Sequence, residues 1–298
     1  MALMNRILFT VYRVLVPKPV RTIIRRKNIR KKILRYYSSL PESDTNDEQR
    51  EILKFLESNP LVTFPYPFSS DYSTESIEVH FNESNGLHFV IHEGKKLYFK
   101  RRWSKKRIKR GYSNLQREQD SRSPHRYLEG DFDVSSYDVI ADVGAAEGNF
   151  SLSVIDHARK IYIFEYNHDW IEALKATFEP WMDKIEIIEK KVSDINDKYH
   201  ITLDSFFREH NDITFLKIDV DGAEEKVLHS SKNLLDSRRP LKVALCTYHR
   251  NDDEATFTRI LNNKGFRVSP SRGYMVYYFD KKMKAPYLRR GLLRAVRE

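Results

Sequence analysis

The sequence is short of cysteine, of long apolar runs and, near its start, of acidic residues. Its 298 residues contain one cysteine, Cys246, so a framework of intramolecular disulfides is excluded. Arg13 interrupts the first apolar run, which falls far short of the roughly 18 residues of a spanning helix. No small-x-small cleavage site follows that run, which argues against a signal peptide. The cytoplasm is therefore the predicted location.

The basic excess of the chain is local. Residues 1–41 hold 11 of the 52 Lys and Arg and no acid, which leaves 41 basic residues against the 42 acidic ones elsewhere. Apolar residues recur among the basic ones at helical spacing, which predicts a basic amphipathic helical segment over 1–40. Such a segment would lie on the anionic inner face of a membrane, or would pack on its own domain or on an oligomer partner.

Two regions are predicted between this segment and the main domain. Residues 41–60 are expected to form a linker with a helix, because the stretch "SSLPESDTNDEQR" is polar and contains proline. The short alternating runs "IEVHF", "HFVIH" and "KLYFK", with an "ESNG" turn, predict a small β-rich accessory region over 61–130.

A basic stretch over 94–117 combines 11 Lys and Arg with four aromatic residues and contains no acid. Aromatic and cationic side chains together could bind nucleic acid by stacking and phosphate contacts. A solvated rim or a surface for an acidic ligand is favoured instead, because the following domain is not basic and no nucleic-acid module is recognisable.

From residue 137, apolar runs alternate with helical patterns in five strand-and-helix units, which predicts a parallel sheet with helices on both faces. After Gly265 the runs "FRVSPS" and "YMVYYFD" are separated only by "RG", too short for a parallel crossover, so the last strand should be antiparallel. The predicted fold class is α/β: a doubly wound, Rossmann-like methyltransferase sheet over 131–282. A basic C-terminal tail over 283–298 is expected to follow it.

The stretch "DVGAAEGNF", residues 142–150, occupies the first strand-to-helix turn, where such a sheet approaches its cofactor. Gly144 and Gly148 permit a tight bend and close backbone approach, and the helix from Asn149 directs amide hydrogens into the crevice. The dinucleotide fingerprint fails, because Ala146 and Asn149 stand where it needs glycines.

Two acidic residues near this turn are candidates for cofactor binding. Glu165, at the end of the next strand, could accept hydrogen bonds from both ribose hydroxyls; the alternative is that it caps the helix beginning at His168. Asp142 could meet the amino group of S-adenosylmethionine or order the loop.

A second cluster lies in "FLKIDVDGAEEKVL", residues 215–228. Lys217, Asp219 and Asp221 share one side of an extended segment, so the two acids could accept a proton from a substrate hydroxyl or hold a divalent cation. The alternative is a strand-end salt bridge from Lys217, with Asp221 starting a helix. His249, in "CTYHR", would be a general base, a metal ligand or a plain surface residue at the same rim.

In this order, "VIADVGAAEGNFSL", "FEYNHDWIEALK", "ITLDSFF", "FLKIDVDGAEEKVL" and "ALCTYHR" resemble the FkbM family of S-adenosylmethionine-dependent methyltransferases over about half of the chain, 137–280. The family usually has glutamate where Asp221 stands and proline where Tyr166 stands. The resemblance implies S-adenosylmethionine as cofactor and places Ser193 and Asp194 near its adenine. The full predicted cofactor-binding set is Asp142, Gly144, Ala145, Glu147, Gly148, Asn149, Glu165, Ser193 and Asp194.

By the same resemblance Asp219, Asp221 and His249 would face the acceptor, as catalytic residues and as candidate ligands of a divalent cation. The predicted function is O-methylation of a hydroxyl, on a sugar of a surface polysaccharide, glycolipid or related natural product. His125 and Arg126 could contact an anionic acceptor, or belong to a segment that only packs against the domain.

Two other functions are kept as alternatives. One is a metal-dependent glycosyltransferase that uses Asp219 and Asp221, and the other is a nucleic-acid-binding protein that uses 94–117. The expected partners are a hydroxylated small-molecule or glycan acceptor and, through 1–40, an anionic membrane surface. An oligomer is compatible with the sequence, whereas nucleic acid is disfavoured.

Overall fold

A computed structural model describes residues 17–298, so residues 1–16 of the predicted amphipathic segment over 1–40 lie outside the described residues. The α-helices within this range are α1 Lys18–Ser38, α2 Asp47–Ser58, α3 Lys105–Glu118, α4 Asn149–Val154, α5 His168–Phe178, α6 Leu203–Phe207, α7 Glu224–Ser230, α8 Lys232–Asp236 and α9 Asp253–Asn263. The strands are β1 His80–Asn82, β2 Leu87–His92, β3 Lys95–Tyr98, β4 Val139–Val143, β5 Lys160–Phe164, β6 Ile185–Ile188, β7 Lys191–Val192, β8 His200–Ile201, β9 Phe215–Ile218, β10 Leu241–Cys246, β11 Arg267–Pro270 and β12 Leu292–Arg297.

The central sheet has seven strands in the order β11-β12-β10-β9-β4-β5-β6. Pairing is parallel from β10 to β6, and β12 runs antiparallel to both of its neighbours. Every residue of β4 and of β9 is buried, as expected for central parallel strands covered by helices on both faces. The predicted α/β class, with a mostly parallel sheet and an antiparallel last strand, is confirmed.

The prediction of which residues form that last strand was wrong. The run "YMVYYFD" forms loops, and the antiparallel strand is β12, within the predicted C-terminal tail. Its leucines are fully buried, and its arginines are satisfied by backbone carbonyls: Arg294 Nε donates to Tyr127 O at 3.1 Å and Arg297 Nε to Arg239 O at 2.9 Å. Because these arginines bind groups within the protein, their positive charge does not indicate a tail outside the domain.

The accessory region contains the predicted antiparallel strands β1 to β3, and also a helix that was not predicted, α3, formed from the basic stretch. Ser104 caps α3 by accepting a hydrogen bond from the Arg107 N–H at 3.3 Å. The aromatic residues of 94–117 mostly serve the core, because Tyr98, Phe99 and Tyr112 are buried. They offer no row of exposed rings, so the nucleic-acid alternative loses its stacking surface.

The predicted linker is largely helical. Asn46 caps α2 in a capping box with Gln49, so 41–60 is mostly ordered helix. The second half of α1 buries Ile33 and Tyr37 against this region, whereas Ile23 near its start is 64% exposed.

No helix among residues 17–298 is both long and apolar enough to cross a membrane.

Candidate active site

A cavity of about 860 Å³, the cofactor cavity below, opens at the carboxyl ends of β4, β5 and β9. Ligands of doubly wound sheets bind at this edge, and the volume is in the range of small-molecule sites. Six of the predicted site residues line it: Gly144, Glu165, Ser193, Asp194, Asp219 and Asp221.

Three further predicted cofactor residues, Ala145, Glu147 and Asn149, line a second cavity of about 260 Å³ that the loop 144–148 shares with α3. Gly144 and Asp219 line both cavities, so the two adjoin there. Of the predicted cofactor set, Asp142 and Gly148 line neither of these cavities.

The two positions of the loop require glycine for different structural reasons. Gly144 has φ +80°, and a Cβ on it would lie 2.0 Å from the Asp219 carbonyl oxygen. Gly148 has the same φ, but a Cβ on it would meet Leu174 and Phe178 of α5 at 2.6 and 2.9 Å. Both glycines therefore permit close contacts within the protein, Gly144 with the end of β9 and Gly148 with α5, while their predicted contact with the cofactor stays a prediction.

Asp142 is fully buried and forms an ion pair with Lys217, with Oδ1 and Nζ 2.9 Å apart. Ser151 Oγ donates to Asp142 Oδ2 at 2.7 Å, and Lys217 Nζ also donates to Gly144 O at 2.8 Å. Burial alone would lower the pKa of Lys217, but the charges of Asp142 and Asp219 raise it above its usual value. Of its two predicted roles, Asp142 has the geometry for ordering the loop.

Glu165 is 7% exposed and faces the cofactor cavity. Its Oε2 accepts from the Ala146 N–H at 3.1 Å, and its Oε1 accepts from the N–H groups of Tyr166 and Asn167 at 2.8 and 2.7 Å. A carboxylate offers about four acceptor positions, so these bonds leave room for a ribose hydroxyl. The side-chain cap of α5 is Asn167, which accepts from the Asp169 N–H at 3.0 Å, so Glu165 is free of the capping role.

Ser193 and Asp194 follow β7, on the same side of the cofactor cavity. Ser193 Oγ donates to Asp194 Oδ1 at 2.9 Å, and this hydrogen bond lowers the pKa of Asp194. The Ser193 N–H donates to Ile201 O at 3.0 Å in the small β7–β8 sheet, which fixes the position of the pair.

Asp219 is the acid around which the site is arranged. Tyr127 OH donates to its Oδ2 at 2.9 Å and Tyr248 OH to its Oδ1 at 3.2 Å, while His125 Nε2 lies 3.7 Å from Oδ2. Burial would raise the pKa of Asp219, but attraction to basic neighbours, Lys217 among them, and the Tyr127 hydrogen bond hold it below its usual value. Asp219 is therefore a carboxylate in the resting site.

His249 is buried and paired with a residue that the sequence reasoning missed, Glu224. The Nδ1 atom of His249 lies 2.9 Å from Glu224 Oε1, and its Nε2 lies 3.7 Å from Asp221 Oδ1 and 4.0 Å from Asp219 Oδ1. Burial lowers the pKa of His249, but the nearby acidic side chains of Asp221, Glu224 and Asp219 outweigh this and raise it to about 10. This environment favours the protonated imidazolium, so His249 would act as a general base only after losing that proton.

Asp221 lies apart from Asp219. Its side chain is 99% exposed, its φ is +53°, and it lies at the mouth of the cofactor cavity. In its place Glu224, 1% exposed, supplies the second buried acid: its Oε1 also accepts from the N–H groups of Val220 and Gly222 at 3.1 and 3.2 Å. The stretch "KIDVDGAE" contained Glu224, but its helical position gave no sign of a contact with His249.

Potential cation ligands overlap this cluster. Among residues 17–298, ligand atoms of Asp219, Glu224 and His249 lie within 4.8 Å of one another. Those of His125, Asp219 and Cys246 also do so. The predicted set of Asp219, Asp221 and His249 is not among these groups, because Asp221 turns outward.

The sheet order, the glycine turn after β4 and the acid after β5 together define a Rossmann-like, doubly wound fold with a ligand site at the carboxyl ends of its strands. Residues 162–268 match the methyltransferase FkbM domain, which confirms the predicted resemblance and supports a methyltransferase that uses S-adenosylmethionine. The match begins within β5, after the glycine turn.

Solved structures similar to this chain include a methyltransferase FkbM from Methylobacillus flagellatus KT (15% identity, 58% of this chain and 50% of that chain, TM-score 0.44). Two others are an rRNA methylase from Streptococcus thermophilus (13%, 55% and 89%, 0.37) and a precorrin-6y C5,15-methyltransferase from Geobacter metallireducens GS-15 (12%, 55% and 81%, 0.36). The chain spans half of the length of the FkbM structure. No curated protein matched the chain.

Proposed function

We propose that the protein is an S-adenosylmethionine-dependent O-methyltransferase that acts on a hydroxyl group of a sugar, in the biosynthesis of a surface polysaccharide, glycolipid or related natural product. The observation that carries the proposal is the convergence of Gly144, Glu165 and Asp219 on one cavity, in a chain whose residues 162–268 match the methyltransferase FkbM domain. The glycosyltransferase alternative leaves Gly144 and Glu165 without a role.

The residues of the cofactor cavity fit S-adenosylmethionine, which when bound supplies a methyl group on a sulfonium centre. Glu165 would accept hydrogen bonds from the ribose, since its carboxylate has acceptor capacity left. Ser193 and Asp194 would lie at the adenine. The absence of a Cβ on Gly144 keeps the turn close to the end of β9, beside Asp219.

In the transfer, the acceptor oxygen forms a bond to the methyl carbon, the carbon–sulfur bond breaks, and the acceptor proton passes to a base. Positioning of the two reactants supplies most of the acceleration expected from such a site. Asp219 lines both cavities and is held ionised, so it would receive or orient that proton. Protonated His249, fixed by Glu224, would stabilise negative charge beside it.

A divalent cation is an alternative proposal to protonated His249, because a histidine that binds a metal has lost its proton. Asp219 and His249 are predicted ligands, and Glu224 would replace the exposed Asp221 as the third. Calorimetric titration of the protein with manganese, on wild type and Glu224→Gln, tests this: binding that the substitution weakens supports the cation, and no heat with either protein rejects it.

A cytoplasmic location with contact to the inner face of a membrane is also proposed. Supporting it, the first half of α1 carries exposed Val20, Ile23 and Ile24 among Arg and Lys residues. Co-sedimentation with anionic and with neutral vesicles is the test, and equal recovery in the supernatant of both would reject the proposal.

The first experiment is calorimetry with S-adenosylmethionine and S-adenosylhomocysteine on wild type and Glu165→Gln. Loss of one charged acceptor should weaken binding by at least about tenfold, on the order of 1.5–3 kcal/mol. Glu83→Gln is the matched control, since Glu83 is exposed and lies in the turn after β1. A folded wild type that binds neither compound would refute the proposed function.

A further inference from the structure

A third cavity, of about 350 Å³, is built largely outside the matched domain. Its walls come from α1, the segment 62–69, α3, His125, Tyr248 and the loop 275–279. Tyr248 alone among these lies within 162–268. The parts of the chain that surround this cavity are therefore additions to the common sheet, which is where substrate contacts vary between enzymes of one fold.

The third cavity adjoins the proposed reaction centre. Tyr248 and His125 line it, and each also contacts Asp219, at 3.2 and 3.7 Å. Glu118 lines both this cavity and the 260 Å³ cavity beside the glycine loop. The third cavity therefore shares Tyr248 and His125 with the surroundings of Asp219, and Glu118 with the cavity beside the glycine loop.

The wall of the third cavity is aromatic, with hydroxyl groups among the rings. Tyr248 and Tyr277 pack edge to face with ring centroids 5.1 Å apart, and Phe279 at the same wall is 59% exposed. Aromatic walls with a few fixed polar groups are typical of small-molecule sites. Tyrosine offers an apolar face and a polar end, which matches the apolar faces and peripheral hydroxyls of a sugar ring.

Two arginines line this cavity, and they differ in how many of their guanidinium nitrogens donate hydrogen bonds within the protein. Arg117 donates from all three nitrogens, to Ser69 O at 2.7 Å and to groups of Tyr72, Ser113 and Asn114. Arg26 donates from Nε and Nη2 to Leu61 O and stacks over Tyr278 at 5.3 Å, which leaves Nη1 without a partner among residues 17–298. Arg26 is therefore the cation available to a ligand, and guanidinium groups favour phosphate.

We propose that the third cavity binds the methyl acceptor and that this acceptor is a phosphorylated sugar, with its ring against Tyr248, Tyr277 and Phe279 and its phosphate at Arg26. The proposal rests on the proposed function and gives its acceptor a chemical class. The phosphate could belong to a free sugar phosphate or to a lipid-linked one. Exposed Ile23 on the same helix as Arg26, and Phe279 at the same wall, are compatible with a lipid source.

The test uses the full chain saturated with S-adenosylhomocysteine. The soluble probes are the 1-phosphates of glucose, galactose and mannose, each compared with its free hexose, by ligand-observed NMR and calorimetry. Vesicles with and without a polyprenyl-phosphate-linked hexose form the second arm. The variants are Arg26→Gln and Phe279→Ala, with Arg259→Gln and Tyr137→Ala as controls at exposed positions.

We expect a sugar phosphate to bind at least tenfold more tightly than its free hexose, and Arg26→Gln to remove most of that difference. Phe279→Ala should weaken binding of both the sugar phosphate and the free hexose. The control substitutions should leave sugar binding unchanged, and no variant should change the affinity for S-adenosylhomocysteine. Binding only from vesicles identifies the lipid-linked source, and binding of the soluble probe identifies the free one. Two outcomes overturn this inference but not the proposed function, when the protein still binds S-adenosylhomocysteine. One is that no sugar phosphate binds in either arm, and the other is that Arg26→Gln leaves sugar-phosphate affinity unchanged. Failure to bind S-adenosylhomocysteine would refute the proposed function itself.

Discussion

The cofactor wall and the acceptor wall of the proposed site are built in different ways. The cofactor wall consists of turns that follow neighbouring parallel strands, and backbone hydrogen bonds hold them: Gly144 N–H donates to Phe164 O and Asp219 N–H to Val143 O, both at 3.1 Å. The proposed acceptor wall consists of side chains from α1, α3 and the loop 275–279, which are distant in sequence. The sheet therefore fixes the first wall, whereas packing of added segments fixes the second.

This difference has a consequence for substitution. A change in the cofactor wall should disturb the end of the sheet and so the stability of the whole protein. A change in the acceptor wall should leave the sheet intact and act mainly on binding, because loops and additions on a rigid framework vary with little effect on the core.

The largest expected effect is that of Lys217→Met. It would leave Asp142 charged and fully buried, with Ser151 as its remaining side-chain partner, and breaking a buried pair in this way costs about 3–5 kcal/mol. Urea unfolding measures the loss. Arg159→Met is the control, since the pair of Arg159 with Asp212 at 3.1 Å is exposed and should matter little. Equal losses of stability for Lys217→Met and Arg159→Met would show that burial of the Lys217–Asp142 pair does not stabilise the cofactor wall.

The second effect concerns Gly144→Ala. The new Cβ would lie 2.0 Å from Asp219 O in a backbone with φ +80°, so a loss of about 2–4 kcal/mol is expected from strain and overpacking together. Gly94→Ala is a matched control, because Gly94 has φ +78° with nothing within 4 Å of its Cβ position and so carries the conformational cost alone. A smaller loss at Gly144 than at Gly94 would contradict the close approach of β4 and β9.

The same contrast explains what could be predicted from the sequence. The parallel strands and the turn at Gly144 follow from local patterns, because a strand, a bend and a helix in succession leave the chain few arrangements. Glu165 could be identified as a site residue for the same reason, since it directly follows β5. The family match over 162–268 includes Glu165 but begins after the turn at Gly144.

Other features depend on contacts between residues far apart in the chain. The position of β12 was missed because Arg294 and Arg297 bind backbone carbonyls of distant loops, which charge patterning cannot reveal. Glu224 was missed because an acid in the first turn of a helix is ordinary, and its contact with His249 joins β10 to α7. The third cavity could not be predicted at all, since it requires six separate parts of the chain to meet.

A third prediction concerns pH and His249. Its folded pKa, about 10, is above the unfolded value of about 6.5, so the stability it contributes is fully present below pH 6.5 and is lost as pH rises through 10. Wild type should therefore lose stability between pH 7 and 10 in urea unfolding with a chelator present, and His249→Gln should have a flatter profile. His200→Gln is the control, because His200 is more exposed and bonds to Asp197 at the small sheet. Identical slopes for His249→Gln and wild type would show that the cluster does not hold the proton.

A last pH effect is expected on the acceptor side, at Glu118. Burial raises the pKa of Glu118 to about 8, with the charges of Glu147 and Asp219 adding to the shift and Lys217 opposing it. Because the folded pKa is the higher one, the contribution of Glu118 is fully present below its unfolded pKa and is lost as pH rises through 8. Glu118→Gln removes this loss, so its stability relative to wild type should rise from pH 5 to pH 9 by at most about 4 kcal/mol, at about 1.36 kcal/mol per pH unit between 5 and 8. Urea unfolding at both pH values measures this change in stability, with Glu83→Gln as the exposed control. The same change with pH in both variants would mean that Glu118 ionises freely and that the acceptor wall is open to water.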